Sequence, residues 1–312
     1  MSWQGKILRV NLTSGEITPE PLNMEWASDY IGERGLGTKY LWENMDPKAD
    51  SMGPDNVLIF ATGPLTGTSA STSGRYAVIT KGPLTGAIAC SNSGGKFGAE
   101  LKYAGFDLLL VEGRSEKPVY LLIEGDEISL ASADKIWGKT VWETDEWIKK
   151  QHHNPMLKIA TIGIAGERGV RYAAVVNDLH RAAGRSGVGT VMGAKNLKAI
   201  AVRGTGGVRV KDPQRFMQVT DEMKNLLAKE TGGLTKYGTN AMMDTMQEFG
   251  GLPTNNFQEV QFEGYDKIDA KAMLKTDDTG HTNLLTNKAC FGCTIACGRI
   301  AHIRKDHFTI QN

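Results

Sequence analysis

Short apolar runs alternate with glycine-rich turns over the first 207 residues, and this alternation restricts the fold more than any other feature. Glycine accounts for 37 of the 312 residues, whereas its ordinary share is about 7%. The runs have the length and composition of β-strands, and they occupy residues 5–12, 57–61, 76–81, 106–112, 119–124, 127–130, 158–162, 172–176 and 199–203. Because regular helical crossovers between them are scarce, the pattern favours an α+β fold over a doubly wound sheet.

Helical periodicity becomes dominant only after the GTGG segment at 204–207. Apolar residues at helical spacing predict a helix over 213–230, with Pro213 in its first turn, and another helix over 239–249. Earlier helices are predicted over 25–45, around 97–103, over 140–151 and after the glycines near residue 190. The sequence therefore predicts a β-rich domain over 1–207 and the start of an all-helical domain over 208–312.

The pentapeptide GPLTG occurs twice, at 63–67 and at 82–86, and each copy follows a strand-like run. The repeat predicts two equivalent corners at which a strand enters a turn. A duplicated turn without chemistry is the simplest interpretation of the repeat taken alone.

Charge and hydropathy exclude several classes of protein. The 36 Lys and Arg residues and 35 Asp and Glu residues leave a formal charge of +1, which argues against binding to nucleic acid or to a membrane surface. The N-terminus lacks the regions of a signal peptide, and apolar runs are too short to span a bilayer. We therefore expect a cytoplasmic protein.

Three of the four cysteines lie close together, as Cys290, Cys293 and Cys297 in the spacing C-x2-C-x3-C. This spacing is a ligand pattern and not a disulfide framework, and it indicates a reducing compartment. Closely spaced thiolates are typical of iron–sulfur sites. A zinc site of three cysteines and His302 is the main alternative.

Two glycine-rich loops are candidates for binding an anion. The segment SNSGGKFGAE at 91–100 is predicted to open a helix and to offer backbone N–H groups, but it lacks the spacing of a Walker A motif. The segment HRAAGRSGVG at 180–189 places two arginines among glycines, an arrangement well suited to bidentate phosphate binding. Together the loops predict a large phosphorylated cofactor held mainly by backbone, and plain turns are the alternative. Motifs of nicotinamide-binding proteins, zinc proteases and serine hydrolases are absent.

Five segments, taken in order, resemble the tungsten-containing aldehyde:ferredoxin oxidoreductase family. They span essentially the whole chain: GKILRVNLTSGEI (5–17), GPLTGTSASTSGRYAVITKGPLTG (63–86), SNSGGKFGAELKYAGFD (91–107), HRAAGRSGVGTVMGAKNLKAIAV (180–202) and KACFGCTIACGR (288–299). The resemblance implies a site in which two dithiolene pterins hold one tungsten, or molybdenum in some relatives, without a protein ligand to that metal.

The resemblance also assigns residues to the cofactors. It implies contacts to one pterin from Arg75 and from the loop Asn92, Ser93, Gly94 and Gly95. The other side would be contacted by Arg181, Ala182, Gly184 and Arg185. A magnesium ion between the cofactor phosphates would take the backbone carbonyls of Asn92 and Ala182, and Cys290, Cys293 and Cys297 match three ligands of a 4Fe-4S cluster.

The implied reaction is oxidation of an aldehyde to a carboxylic acid, with electrons leaving singly through the cluster to ferredoxin or to an iron–sulfur partner subunit in a homo- or hetero-oligomer. Proteins of this family are about twice as long, and they draw the fourth cluster thiolate and the acid/base residues from later sequence. We therefore expect a truncated, N-terminal half whose catalytic residues lie beyond Asn312 and which is inactive alone. The alternatives are a benzoyl-CoA reductase catalytic subunit, which shares these loops, and a zinc-bound structural module.

Overall fold

The computed structural model describes residues 2–302 and divides the chain into two compact units, Met1–Phe216 and Met217–Asn312. The first unit contains two six-stranded sheets. The second is mainly helical and carries a two-stranded hairpin. The α+β class, with a β-rich part followed by a helical region, is thereby confirmed. No helix among residues 2–302 has the length and apolar character needed to cross a membrane.

The strands of the first unit are, in chain order, β1 (Lys6–Asn11), β2 (Ile17–Pro21), β3 (Leu58–Thr62), β4 (Tyr76–Lys81), β5 (Ile88–Ser93), β6 (Leu108–Glu112), β7 (Val119–Glu124), β8 (Glu127–Ser132), β9 (Lys158–Thr161), β10 (Val175–Asn177), β11 (Arg181–Ala183) and β12 (Leu197–Arg203). The helices are α1 (Met24–Tyr30), α2 (Glu33–Asn44), α3 (Phe97–Tyr103), α4 (Val141–Gln151), α5 (Ile164–Glu167), α6 (Val188–Ala194) and α7 (Pro213–Glu230), which runs across the boundary between the units. The second unit adds α8 (Gly232–Tyr237), a 3-10 helix (Gly238–Met242), α9 (Met243–Glu248), a second 3-10 helix (Tyr265–Lys267), α10 (Ala270–Leu274), β13 (Leu284–Lys288) and β14 (Gly298–Ala301).

Both sheets of the first unit are mixed. The first has the order β2-β1-β6-β3-β4-β5, and its only parallel pair joins β1 to β6. The second has the order β11-β10-β9-β12-β7-β8, and there β12 pairs parallel with β7. Neighbouring strands otherwise run antiparallel.

The main hydrophobic core is shared by both sheets. Successive side chains of a strand point to opposite faces, so alternate residues enter this core from each sheet, among them Leu8, Phe60, Val78, Leu121, Ile123 and Ile200. The opposite face of the first sheet packs with residues of α1 and α2. That of the second packs with Ile148 of α4. Each fully buried side chain of this kind contributes about 1.5–3 kcal/mol.

Every predicted strand is present, although the run predicted at 172–176 lies at Val175–Asn177. Five strands were missed: β2, β5 and β11 in the first unit, and β13 and β14 in the part predicted to be all-helical. Strand β11 lies inside one of the segments interpreted as polar loops, and β5 overlaps the other at its last three residues. The sequence IACSNS of β5 lacks a strand signal because buried serines replace apolar residues on its inner face.

The single helix predicted over 25–45 is wrong. The chain forms α1 and α2 instead and turns sharply at Ile31, whose φ is 63°. A Cβ on Gly32 would lie 3.0 Å from both the Cα of Gly63 and the Cδ of Pro64. The break therefore arises from packing against a distant turn, which helical periodicity does not register.

Both GPLTG copies form the predicted strand-to-turn corners. The first follows β3, where the backbone N–H of Gly63 donates to Thr66 Oγ1 at 2.9 Å. The second follows β4, where the N–H of Gly86 donates to the carbonyl of Gly82 at 3.0 Å. Because β3 and β4 are antiparallel, the corners lie at opposite ends of the sheet. Only the first lies at the end where β5 finishes, with Ser93 opposite Tyr76.

Candidate functional site

The two predicted loops meet at one cavity of about 600 Å³. The end of β5, the segment around β11 and the start of α2 line it. The lining residues are Arg34, Cys90, Ser91, Asn92, Ala182, Gly184, Arg185 and Ser186. The backbone N–H of Arg185 donates to Ser91 Oγ at 3.0 Å and ties the two loops together. The structure thus brings together four of the residues that the sequence selected: Asn92, Ala182, Gly184 and Arg185.

A second cavity of about 340 Å³ contains Arg75. The first GPLTG corner and the hydroxyl-rich segment that precedes β4 complete its lining, with Gly63, Thr66, Ser71, Thr72 and Ser73. Glu33 also lines this cavity, whereas its neighbour Arg34 lines the first. The N-terminus of α2 therefore contributes to both cavities.

Glu33 connects the charged groups of the two cavities. Its carboxylate accepts a hydrogen bond of 3.1 Å from the side-chain amide of Asn92. The amide oxygen of Asn92 accepts in turn from the Arg34 guanidinium at 3.4 Å. Burial raises the pKa of Glu33, and the charges of Arg75 and Arg34 together with the bond from Asn92 oppose that rise only in part.

Glu33 and Arg34 are not among the site residues predicted from the sequence. A signal was present in IGERGLG at 31–37, where glycines flank a charged pair. The signal was lost because the segment was interpreted as the interior of one long helix.

Changing Glu33→Gln should remove a pH-dependent loss of stability. An acid whose pKa rises on folding binds more protons in the folded state, so folding stability falls as pH increases from the unfolded-state pKa of 4.5 through the higher folded-state pKa. We expect the variant to be more stable than the wild type at pH 7 and to match it near pH 4. Urea unfolding across this pH range checks the sign of the change in stability. The control is Glu146→Gln, since Glu146 is exposed and pairs with Lys150. Equal pH slopes for Glu33→Gln and wild type would contradict the assignment.

Ser93, Gly94 and Gly95 lie against Asn177 and Asp178, which the sequence did not select. The Asn177 side chain accepts from Ser93 Oγ at 2.6 Å and donates to the carbonyl of Gly94 at 2.9 Å. Gly95 has a φ of 89°, and a Cβ there would lie 2.2 Å from Asp178 Oδ2. Direct contacts of Ser93, Gly94 and Gly95 with a cofactor stay a prediction.

The N-terminus of α3 receives a carboxylate from within the chain. Asp178 Oδ2 accepts from the backbone N–H of Lys96 at 2.7 Å and from that of Phe97 at 3.4 Å. These two amides are therefore not available to an external anion. The sequence had led us to expect that they would be. Arg181 opens β11 opposite Asn177, and its contact with a cofactor also stays a prediction.

Cys290, Cys293 and Cys297 lie on the loop between β13 and β14, whose strands pair up to Lys288 and Gly298. All three thiols are half-buried, and the N–H of Cys293 donates to the carbonyl of Cys290 at 3.2 Å. Among residues 2–302, no three His, Cys, Asp or Glu side chains converge closely enough to hold a single metal ion. A cubane cluster binds its thiolates at separate corners, so three cysteines on one hairpin loop fit it without converging on a point.

His302 lies beside another histidine. Its ring centroid is 5.4 Å from that of His281, and its backbone carbonyl is 2.9 Å from His281 Nε2. The tetrahedron of three cysteines and His302 that the zinc alternative requires is therefore not formed by the described residues.

The fold and cavities define a two-sheet domain with a polar, arginine-lined site, followed by a helical part with a cysteine hairpin. Residues 7–204 match the family model described as aldehyde ferredoxin oxidoreductase, N-terminal domain. Residues 218–311 match the model of domains 2 and 3 of the same family. The chain belongs to the aldehyde ferredoxin oxidoreductase family, which confirms the resemblance seen in the sequence.

Individual relatives agree with this assignment. The chain is 51% identical over 302 residues to the tungsten-containing aldehyde ferredoxin oxidoreductase of Pyrococcus abyssi, an alignment that covers 96% of the chain and 49% of the relative. It is 30% identical over 321 residues to the aliphatic sulfonate oxidoreductase, WOR-like subunit, of Pyrococcus furiosus, covering 97% and 50% of the two chains. The chain spans about half the length of the curated relatives it matches.

A solved structure shows the same fold. The active-site complex of benzoyl coenzyme A reductase bound to 1,5-dienoyl-CoA superposes with a TM-score of 0.84 and 29% sequence identity. The match covers 99% of this chain and 48% of the other.

Proposed function

We propose that this chain supplies the cofactor-binding part of a tungsten-dependent enzyme that oxidises aldehydes to carboxylic acids. The observation that carries the proposal is the first cavity, which Asn92 and Ala182 line together with Arg34 and Arg185. Relatives at about 50% identity carry the name of tungsten-containing aldehyde ferredoxin oxidoreductases, and their alignments cover 96% of the chain.

The lining fits a cofactor with phosphate groups. Arg34 and Arg185 offer planar, permanently charged donors for bidentate bonds to phosphate. Asn92 and Ala182 both line this cavity, and their backbone carbonyls would be oxygen ligands of the kind that a magnesium ion between the phosphates takes. Arg75 in the adjoining cavity would contact a pterin.

A bis-pterin tungsten group, or its molybdenum counterpart, would supply the two-electron chemistry when bound. This chain's residues bind and orient it. Glu33 accepts a hydrogen bond from the Asn92 amide, and its charge offsets part of the positive charge of Arg34 and Arg75. Ser91 holds the backbone of Arg185 on the opposite wall.

Electrons would leave through a 4Fe-4S cluster on Cys290, Cys293 and Cys297 to ferredoxin or to an iron–sulfur partner subunit, in a homo- or hetero-oligomer. The support for this route is the hairpin loop, which presents three half-buried thiols within eight residues. Thiolates at this spacing, completed by one further ligand, are typical of such clusters.

Benzoyl-CoA reductase chemistry is the second candidate, since the solved structure with a TM-score of 0.84 carries that name. The sequence favours the aldehyde oxidoreductases, because identity is 51% to one of them and 29% to the reductase. Function depends on the residues of the site and not on the fold alone, so the higher identity carries more weight for substrate class than the shared fold.

The test is anaerobic expression of the complete gene product with tungstate. We expect tungsten, pterin, iron and acid-labile sulfide in the purified protein, and reduction of a viologen dye with aldehydes but not with a dienoyl-CoA, the electron donor when the reductase reaction runs in reverse. Stoichiometric zinc without iron or tungsten would instead support a structural module. Turnover of the CoA thioester alone would support the reductase.

A further inference from the structure

Arg299 follows the cysteine loop directly and binds the backbone on both sides of Cys297. Its Nη1 donates to the carbonyl of Ala296 at 2.9 Å and to that of Gly298 at 2.8 Å. Ala296 has a φ of 49°, a left-handed conformation that is unfavourable for alanine without outside support. The guanidinium therefore holds the backbone of the loop at Cys297, the third cysteine.

The same guanidinium anchors the loop to a helix. Its Nη2 donates to the carbonyls of Thr235 and Leu234 in the last turn of α8, the latter at 3.3 Å. The carbonyl of Leu234 also accepts from the N–H of Gly238, and a cation at a helix C-terminus is favoured by the negative end of the helix dipole. Asn287, at the other side of the hairpin, also donates to the carbonyl of Thr235, at 3.0 Å.

Gly238 completes the anchor. It follows α8 directly, has a φ of 67°, and is buried. A Cβ at this position would lie 2.8 Å from the carbonyl oxygen of Cys297 and 3.3 Å from Cγ of Arg299. Glycine therefore lets the chain after α8 approach the cysteine loop closely enough for the arginine to span both.

We propose that Arg299 is a positioning residue for the iron–sulfur cluster. The arginine fixes the Cys297 backbone on the end of α8 and keeps a permanent positive charge beside the thiolates. This inference rests on the proposed function in assuming a cluster at these cysteines. Within residues 2–302, the hydrogen bonds of this guanidinium all go to carbonyl oxygens. No carboxylate in that part of the chain therefore cancels its charge. A nearby cation favours the more negative, reduced state of a cluster and raises its reduction potential.

Two substitutions separate the geometric effect from the charge. Arg299→Gln removes the charge and most of the bonds, so we expect several-fold faster iron release to a ferrous chelator and a lower midpoint potential. Arg299→Lys keeps the charge but cannot span four carbonyls, so the potential should return towards the wild-type value while iron release stays faster than in the wild type. Gly238→Ala should speed iron release without lowering the potential.

Lys236→Gln is the matched control, because it removes a positive charge from the exposed last turn of α8. All variants are made in the complete protein, and tungsten content reports that the first unit remains folded. Wild-type rates and potentials in both Arg299 variants would overturn the positioning role while leaving the cluster in place. A wild-type protein without iron and sulfide would overturn the cluster itself, so the two failures are distinguishable.

Discussion

Gly193→Ala should lower the free energy of unfolding by about 3 kcal/mol, since overpacking of a rigid site costs about that much. A Cβ at this position would lie 2.1 Å from the carbonyl oxygen of Gly166 and 2.6 Å from its carbon. Both atoms belong to backbone, which cannot rotate away as a side chain can. Gly189, one turn earlier on α6, meets the carbonyl of Ala174 at 2.3 Å in the same way.

Gly233→Ala is the matched control, because a Cβ there meets nothing within 4 Å and the residue lies in α8. Alanine is a better helix former than glycine by about 1 kcal/mol, so this variant should be neutral or slightly more stable. Urea unfolding followed by circular dichroism measures both changes. Equal unfolding midpoints for the two variants would show that α6 does not pack as closely as described.

The combined variant Arg34→Gln with Arg185→Gln should lose most of its pterin and tungsten. A hydrogen bond to a charged group contributes about 1.5–3 kcal/mol, and 1.4 kcal/mol corresponds to about tenfold in affinity. We therefore expect cofactor retention to fall about tenfold or more for each arginine. Iron should be unchanged, because the cysteine hairpin belongs to the second unit.

Metal and pterin analysis of the purified complete protein makes this measurement. Lys150→Gln removes an equal charge from α4, where Lys150 pairs with Glu146 at an exposed site, and it should retain full cofactor. Undiminished pterin and tungsten in the combined variant would show that both arginines are ordinary solvated side chains without a role in cofactor binding. That result would remove the main support for the proposed function.

Local signals predicted some elements to the residue. Helix α3 occupies Phe97–Tyr103 as predicted, and α7 occupies Pro213–Glu230. Helix α4 begins after Thr140, whose hydroxyl and the Glu143 side chain form a capping box. In each case the information lies within a few residues of the element, where helical spacing and caps act.

The candidate site was predicted in part. Asn92, Ala182 and Arg185 were chosen from glycine-rich segments, and the structure places them around one cavity. Glu33 and Arg34 were missed because their position depends on the break at Gly32, which the distant Gly63 and Pro64 impose. A contact between residues so far apart in sequence leaves no periodic signal.

The sequence by itself determined the α+β class and the segments that carry polar chemistry, because these follow from local spacing and composition, and five of its segments identified the family by resemblance. Only the tertiary structure decided what each polar or small residue does there. Gly189 and Gly193 serve close packing against backbone and not an anion, and Asp178 occupies the helix end that seemed open. The pKa of Glu33 rises through burial. Burial and close approach depend on the summed positions of distant strands, so no local pattern encodes them.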